Sequence, residues 1–193
     1  MHVAARNLSD KIANTYDLST FNKLLDIGGG SGAYTTAFLK RDPRLNAIIF
    51  DLEGVIPIAE EKIKDENLQD KVSLFPGDFY KDELPTGCDI ALLSAIIHQN
   101  SSNQNYELYQ KIFRVLDAGG TLLIRDHIMD DSRTKPPAGA LFSLNMLVNT
   151  PAGDTYTFSD VKNALEMVGF LDVKLIMAGE KMDCLVEAIK PNN

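Results

Sequence analysis

The chain has 193 residues, 45% apolar and 24% charged, a composition that fits one folded domain and excludes a disordered or low-complexity protein. A formal charge of −8 argues against non-specific binding to nucleic acid or an anionic membrane, because phosphate neutralisation needs a basic face. Cys88 and Cys184 lie far apart without metal-ligand spacing, no apolar run reaches the ~18 residues of a membrane span, and no signal peptide is evident, so the expectations are no disulfide framework, no metal and a cytoplasmic location.

Residues 1–20 read as a helical lead-in, and 21–193 as the single domain. The lead-in helix is expected from Val3 to Tyr16, with Val3, Leu8, Ile12 and Ala13 loosely on one side. Next comes the stretch around which the chain is organised, Leu24-Leu25-Asp26-Ile27-Gly28-Gly29-Gly30-Ser31-Gly32, with the helical pattern of Ala33 to Leu39 behind it. A short apolar run, a glycine cluster and a helical pattern predict strand, tight turn and helix N-terminus, a frame shared by several nucleotide-binding units. Asp26, two residues before the first glycine, narrows the choice. A carboxylate there repels a pyrophosphate and suits a cation, which favours S-adenosylmethionine, with its sulfonium and α-ammonium, over NAD. A glycine-rich turn without a ligand is the bland alternative.

Leu45 to Phe50 is a buried-type strand closed by Asp51, which lies 23 residues beyond Gly28, near the ~20-residue offset of a ribose-binding acid in βαβ folds. Pro57 opens the next helix. A third strand, Lys71 to Phe75, leads to Pro76-Gly77-Asp78-Phe79-Tyr80, where Asp78 is a candidate for the adenine amino group and Phe79 for its ring face. A fourth strand from Cys88 to Leu93 carries Ser94 to His98 at its C-terminal end, where open α/β sheets place their ligands. The helix Gln104–Asp117 carries a core stripe and is expected to end at Gly119-Gly120, before a fifth strand from Thr121 to Arg125 closing on Asp126-His127.

A proline-rich loop from Asp130 to Pro137 precedes an apolar helix, 138–149, which leaves Asn145 and Met146 on flanking directions. Ser159 is the expected N-cap of a helix running to Val168 and stopped by Gly169. Leu171–Ala178 and Met182–Ile189 are two strands joined by a short loop, and therefore antiparallel.

In this order the residues resemble the S-adenosylmethionine-dependent O-methyltransferases of the caffeic acid and hydroxyneurosporene type, from about Leu18 to Ile189. The markers are Leu25-Asp26-Ile27-Gly28-Gly29-Gly30-Ser31-Gly32, Phe50-Asp51-Leu52, Gly77-Asp78-Phe79-Tyr80 and Ile96-Ile97-His98. The resemblance implies an α/β, Rossmann-like class I methyltransferase fold: a mostly parallel seven-stranded sheet with a C-terminal antiparallel hairpin and helices on both faces. It implies S-adenosyl-L-methionine as methyl donor and a hydroxyl of a small, aromatic or polyketide-like molecule as acceptor.

By the same resemblance Asp26, Gly28 and Gly30 surround the methionine part, Asp51 with Leu52 the ribose, and Asp78 with Phe79 the adenine. Ser94 stands where many relatives have a lysine near the adenine. His98 matches the general base and Asp126 an acid that orients it, while Asn145, Met146 and Asn149 are the candidates for contacting the acceptor. The chain departs from the pattern in three places. Relatives follow the histidine with Asp-Trp, here Gln99-Asn100; a second orienting acid falls at Thr155, whose neighbour Asp154 is expected to point elsewhere; and no counterpart of the helical N-terminal dimerisation domain is expected within these residues. The chain is then either a catalytic domain cut from a longer protein or a stand-alone form, with a homodimer or that missing domain as partner. The helices at 1–16 and 138–149 are expected to be unusually apolar on the side facing it. The alternative to an enzyme is a non-catalytic S-adenosylmethionine-binding domain acting through a partner protein.

Overall fold

The computed structural model describes residues 2–192, with side chains from Leu8 to Asn192. Two compact units divide the chain, one of residues 1–92 with 115–117, the other of 93–114 with 118–193.

The first unit opens with helix α1 (His2–Thr15), then alternates β1 (Lys23–Ile27), α2 (Ala33–Arg41), β2 (Asn46–Asp51), α3 (Ile56–Asp65), β3 (Val72–Pro76) and most of β4 (Cys88–Ser94). β1 pairs with β2 and β2 with β3, both in parallel, Leu25 standing opposite Ile48 and Ile49 opposite Leu74. A strand covered on both faces needs a near-continuous apolar run. Leu24, Leu25, Ile27, Ile49, Phe50, Ile90 and Leu92 are accordingly buried, each worth about 1.5–3 kcal/mol on the usual transfer scale. The Asp89 carboxylate accepts the backbone N–H groups of Asn22 and Lys23 at 2.8–3.1 Å, tying the entry of β1 to β4.

The second unit holds a 3-10 turn (Ile97–Gln99), α4 (Ser102–Val115), most of β5 (Leu116–Asp126), β6 (Ile128–Met129), α5 (Pro137–Asn149), β7 (Tyr156–Thr157), α6 (Phe158–Val168), β8 (Leu171–Met177) and β9 (Cys184–Ile189). β5 pairs with β9 and β9 with β8, both antiparallel, the second as the short β8–β9 connection requires. The strand order is β3-β2-β1-β4-β5-β9-β8, the mostly parallel seven-stranded sheet with a terminal antiparallel hairpin expected from the sequence.

Several local readings need correction. Gly119-Gly120 does not end α4. The helix stops at Val115, and both glycines lie within β5, where Gly119 adopts φ +73° and donates its N–H to the Pro191 carbonyl. The N-cap of α6 is Thr157, not Ser159: its hydroxyl accepts from Asp160 N–H while the Asp160 carboxylate accepts from Thr157 N–H, a reciprocal capping box. A small parallel pair, β6 with β7, was not foreseen. In α1, Ile12 and Ala13 are buried while Asp10, Lys11 and Asn14 face solvent, so the part with described side chains shows no exposed apolar face; Val3 lies outside the described side chains. On α5 the expectation holds: Leu141, Leu144, Leu147 and Val148 are exposed.

Candidate active site

In the first unit the glycine turn links β1 to α2. Gly30 sits at φ +57° with open space where a side chain would begin, so its backbone is presented bare. Gly32, at φ +73°, is the N-cap of α2, and a Cβ on it would come within 2.8 Å of Ile49. Beneath the turn Asp26 is buried, its carboxylate accepting the Thr35 hydroxyl at 2.6 Å. Burial pushes the Asp26 carboxyl up to about 6 against the pull of the Thr35 hydroxyl and backbone, and the Asp51 charge adds to the rise. The structure therefore places Asp26 under the loop, with 1% of its surface exposed.

Asp51 ends β2 half-buried. One oxygen accepts Gly30 N–H and the other Leu52 N–H, both at 2.7 Å. Each carboxylate oxygen has capacity for a second bond, so the group could accept from a pair of hydroxyls. Leu52 beside it is exposed, an apolar surface for a ring or sugar face. After β3, the Asp78 carboxylate is engaged within its own turn: one oxygen accepts Tyr80 N–H at 2.9 Å and the other pairs with Lys81 at 2.9 Å. Phe79 is half-buried against Tyr80, their centroids 4.5 Å apart. Gly30, Asp51 and Leu52 are thus joined by hydrogen bonds to one carboxylate, and Gly28 N–H donates to Phe50 O at 2.8 Å, next to Asp51 in β2, while Asp26 bonds Thr35 instead; Asp78 and Phe79 follow the next strand.

The second unit carries the proton-transfer candidates. Ser94 is half-buried at the last position of β4. His98 lies on the 3-10 turn, and its Nδ1 is 2.9 and 3.0 Å from the two carboxylate oxygens of Asp126 at the end of β5. The histidine side chain is 13% exposed and the aspartate wholly buried, so the bond acts in a low-dielectric setting. Asp126 also accepts His127 N–H at 2.7 Å. Phe142, on α5, meets His98 edge-on at 5.1 Å and His127 at 4.8 Å. His127 is buried with Nδ1 unpartnered, and its pKa is lowered chiefly by burial.

On α5, Phe142, Asn145, Met146 and Asn149 follow an i, i+3, i+4, i+7 pattern and share one face of the helix. Asn145 and Asn149 are exposed and joined by their side-chain amides at 3.2 Å, whereas Met146 is buried. Asp154 points away from His98: its carboxylate pairs with Arg133 at 2.9 Å, while its N–H donates to the His98 carbonyl at 3.0 Å. Thr155 is buried and provides no acid. The sequence reading missed Phe142, a neighbour of His98 visible only as one more apolar residue in a helical stripe. It also missed Asn105 and Tyr156, whose polar atoms support the His98 turn. Among the described residues no group of three His, Cys, Asp or Glu side chains is placed to hold a metal ion.

The O-methyltransferase domain family matches residues 4–171. The chain belongs to that family. Among its relatives, 3-hydroxy-5-methyl-1-naphthoate 3-O-methyltransferase of Streptomyces sahachiroi is 33% identical over 166 residues, covering 86% of this chain and 48% of that protein. Acetylserotonin O-methyltransferase of Bos taurus is 33% identical over 171 residues, covering 89% and 49%. The solved structure of human N-acetylserotonin methyltransferase in complex with SAM matches with a TM-score of 0.85 at 27% identity, covering 95% of this chain and 51% of that one. The chain spans about half the length of the curated relatives it matches. The family match takes in the glycine turn, His98 and Asp126.

Proposed function

We propose that the chain binds S-adenosyl-L-methionine and transfers its methyl group to a hydroxyl of a small aromatic or polyketide-like molecule, with His98 as general base. The observation that carries this reading is the bond between His98 Nδ1 and the buried Asp126 carboxylate. With Nδ1–H donating to Asp126, the tautomer is set, and Nε2 keeps the lone pair that takes a proton from an acceptor hydroxyl. As the acceptor oxygen gains nucleophilicity the imidazole becomes cationic, and the adjacent carboxylate stabilises that charge in place. The bound methyl donor supplies a sulfonium-activated methyl. Phe142 packs edge-on against the imidazole, 5.1 Å between ring centroids.

The donor's pieces fit what the first unit offers. Gly30 gives a bare backbone edge, Asp51 two oriented oxygens for ribose hydroxyls, Leu52 and Phe79 apolar surface, and Asp26 a buried negative charge under the turn for a cationic group. The printed names of the relatives, a naphthoate 3-O-methyltransferase and an acetylserotonin O-methyltransferase, support a hydroxyl on an aromatic ring as the acceptor. Asn145, Met146 and Asn149 are proposed to contact that acceptor, on the face of α5 that also bears Phe142. A second copy of the chain, or a helical dimerisation domain, is the proposed partner for the exposed leucines of α5. No described helix is long and apolar enough to cross a membrane, and a cytoplasmic location is proposed.

His98→Ala should lower turnover of an accepted phenol by at least about a hundredfold. In calorimetric titration the variant should keep S-adenosylmethionine affinity within a few-fold of micromolar, about 8 kcal/mol, with NADH inert. Undiminished turnover sinks the base assignment. The non-catalytic alternative draws on Thr155 standing where an acid is expected; donor binding without transfer to any of a panel of phenols and other hydroxylated acceptors favours it.

A further inference from the structure

The His98 side chain is aimed by Asp126, but the backbone that carries it has its own fastening. The chain leaves β4 through Ala95, a non-glycine residue at φ +59°, a left-handed conformation that persists only where its surroundings hold it. Ala95 N–H donates to the Arg125 carbonyl at 2.8 Å. The three residues Ile97, His98 and Gln99 then form a single 3-10 turn, too short to be stable alone.

Three carbonyls of this segment are caught from outside it. Asn105 Nδ2, from α4, donates to Ile97 O at 2.9 Å. Asp154 N–H, from the strap between α5 and β7, donates to His98 O at 3.0 Å. The Tyr156 hydroxyl, on β7, donates to Asn100 O at 2.5 Å. The Asn100 side chain closes the set by donating to Asn105 Oδ1 at 2.9 Å. Asn100, Asn105 and Tyr156 are all buried, where an unmatched polar group is strongly unfavourable, so each bond specifies a geometry. The strap is pressed close: a Cβ on Gly153 would lie 2.5 Å from the His98 carbonyl oxygen and 3.1 Å from Gln99 Cα.

We propose that Asn105, Tyr156 and the 150–155 strap form a clamp that positions His98 for catalysis by holding the backbone carbonyls of Ile97, His98 and Asn100. The proposal rests on His98 being the general base. It accounts for Gln99-Asn100 after the histidine: Asn100 is a structural member of the clamp, while Gln99 is exposed. Asn105, Tyr156 and the strap are positioning residues, acting on the reaction only through the histidine they place. Because a misplacement of about 1 Å costs on the order of a hundredfold in rate, loosening the turn acts on turnover more than on binding.

The test uses the full chain with an accepted phenol. Tyr156→Phe removes the hydroxyl and keeps the ring; Asn105→Ala removes the other side-chain donor. Each is expected to lower kcat about tenfold to a hundredfold, leave the acceptor KM and the S-adenosylmethionine Kd within twofold, and retain a cooperative thermal transition. Nitrogen-15 spectra of the His98 ring, recorded without substrate, should lose the single Nδ1–H tautomer. Asn105→Ser, which keeps a short donor, should recover part of the rate. Folded variants with kcat within twofold and an unchanged ring spectrum overturn the clamp. A variant that fails to fold is replaced by Gly153→Ala, whose methyl displaces the strap from the same carbonyl and is held to the same two readouts. Loss of the base reading shows differently: His98→Ala stays active, while the ring spectra of the clamp variants still report whether the clamp orients the histidine.

Discussion

Asp26 provides a pH-dependent signature that a surface acid would not. It is completely buried beneath the glycine turn, with the Thr35 hydroxyl as its side-chain partner, and its pKa is raised from 3.8 to about 6. Between those values the folded chain holds a proton that the unfolded chain has released. Stability from this group is therefore complete below pH 3.8 and is lost as the pH rises through about 6. A rise of two units corresponds to about 3 kcal/mol, a sizeable share of the ~5–15 kcal/mol that holds a domain together. Asp26→Asn removes the titration while leaving an oxygen to accept from Thr35. Urea unfolding at pH 4.5 and 7.5 should show the wild type losing about 2 kcal/mol relative to the variant between the two conditions, since part of the effect is already present at the lower pH. The comparison cancels every titration the two proteins share. Parallel stability curves would refute the reasoning. In the binding arm, a cationic ligand favours the ionised carboxylate, so wild-type affinity for S-adenosylmethionine should rise through pH 6 and that of Asp26→Asn should not.

Two further outcomes follow from packing. Gly77→Ala should destabilise the chain by about 1–3 kcal/mol, read by thermal or urea unfolding, because its Cβ would lie 2.5 and 2.6 Å from the Phe50 ring, itself fully buried in β2; an unchanged midpoint would mean that Phe50 relaxes freely. The exposed Leu144 and Val148, at 59% and 80%, should make the chain self-associate at high concentration, and Leu144→Glu with Val148→Glu should shift it to monomer in sedimentation velocity. Equal association of both proteins would move the contact away from α5.

What could be read from the chain alone was whatever depends on neighbours in sequence. The apolar run Leu24 to Ile27 against the glycines announced a strand and a turn because burial and φ > 0 are local demands. The hairpin of β8 and β9 was legible because a short loop leaves strands no other pairing. His98 and Asp126 were legible as strand-end residues matching a family motif, and the 2.9 Å bond between them joins residues 28 apart in sequence. Some local signals were present and misread, such as Thr157-x-x-Asp160, whose reciprocal cap outcompeted Ser159, and Gly119-Gly120, where a positive φ served a strand instead of a helix end. The rest belonged to tertiary structure. Nothing in the spacing of Asn105, Gly153 and Tyr156 says that they meet at one turn, because hydrogen bonds between buried polar groups are set by how α4, the strap and β7 come to rest around it. The sequence alone determined which residue types end each strand, and so the family. Only the folded chain decided how Asp26 is buried, which atoms of Asp51 remain to be used and what holds His98 in place, because those depend on distances between segments that the linear order leaves free.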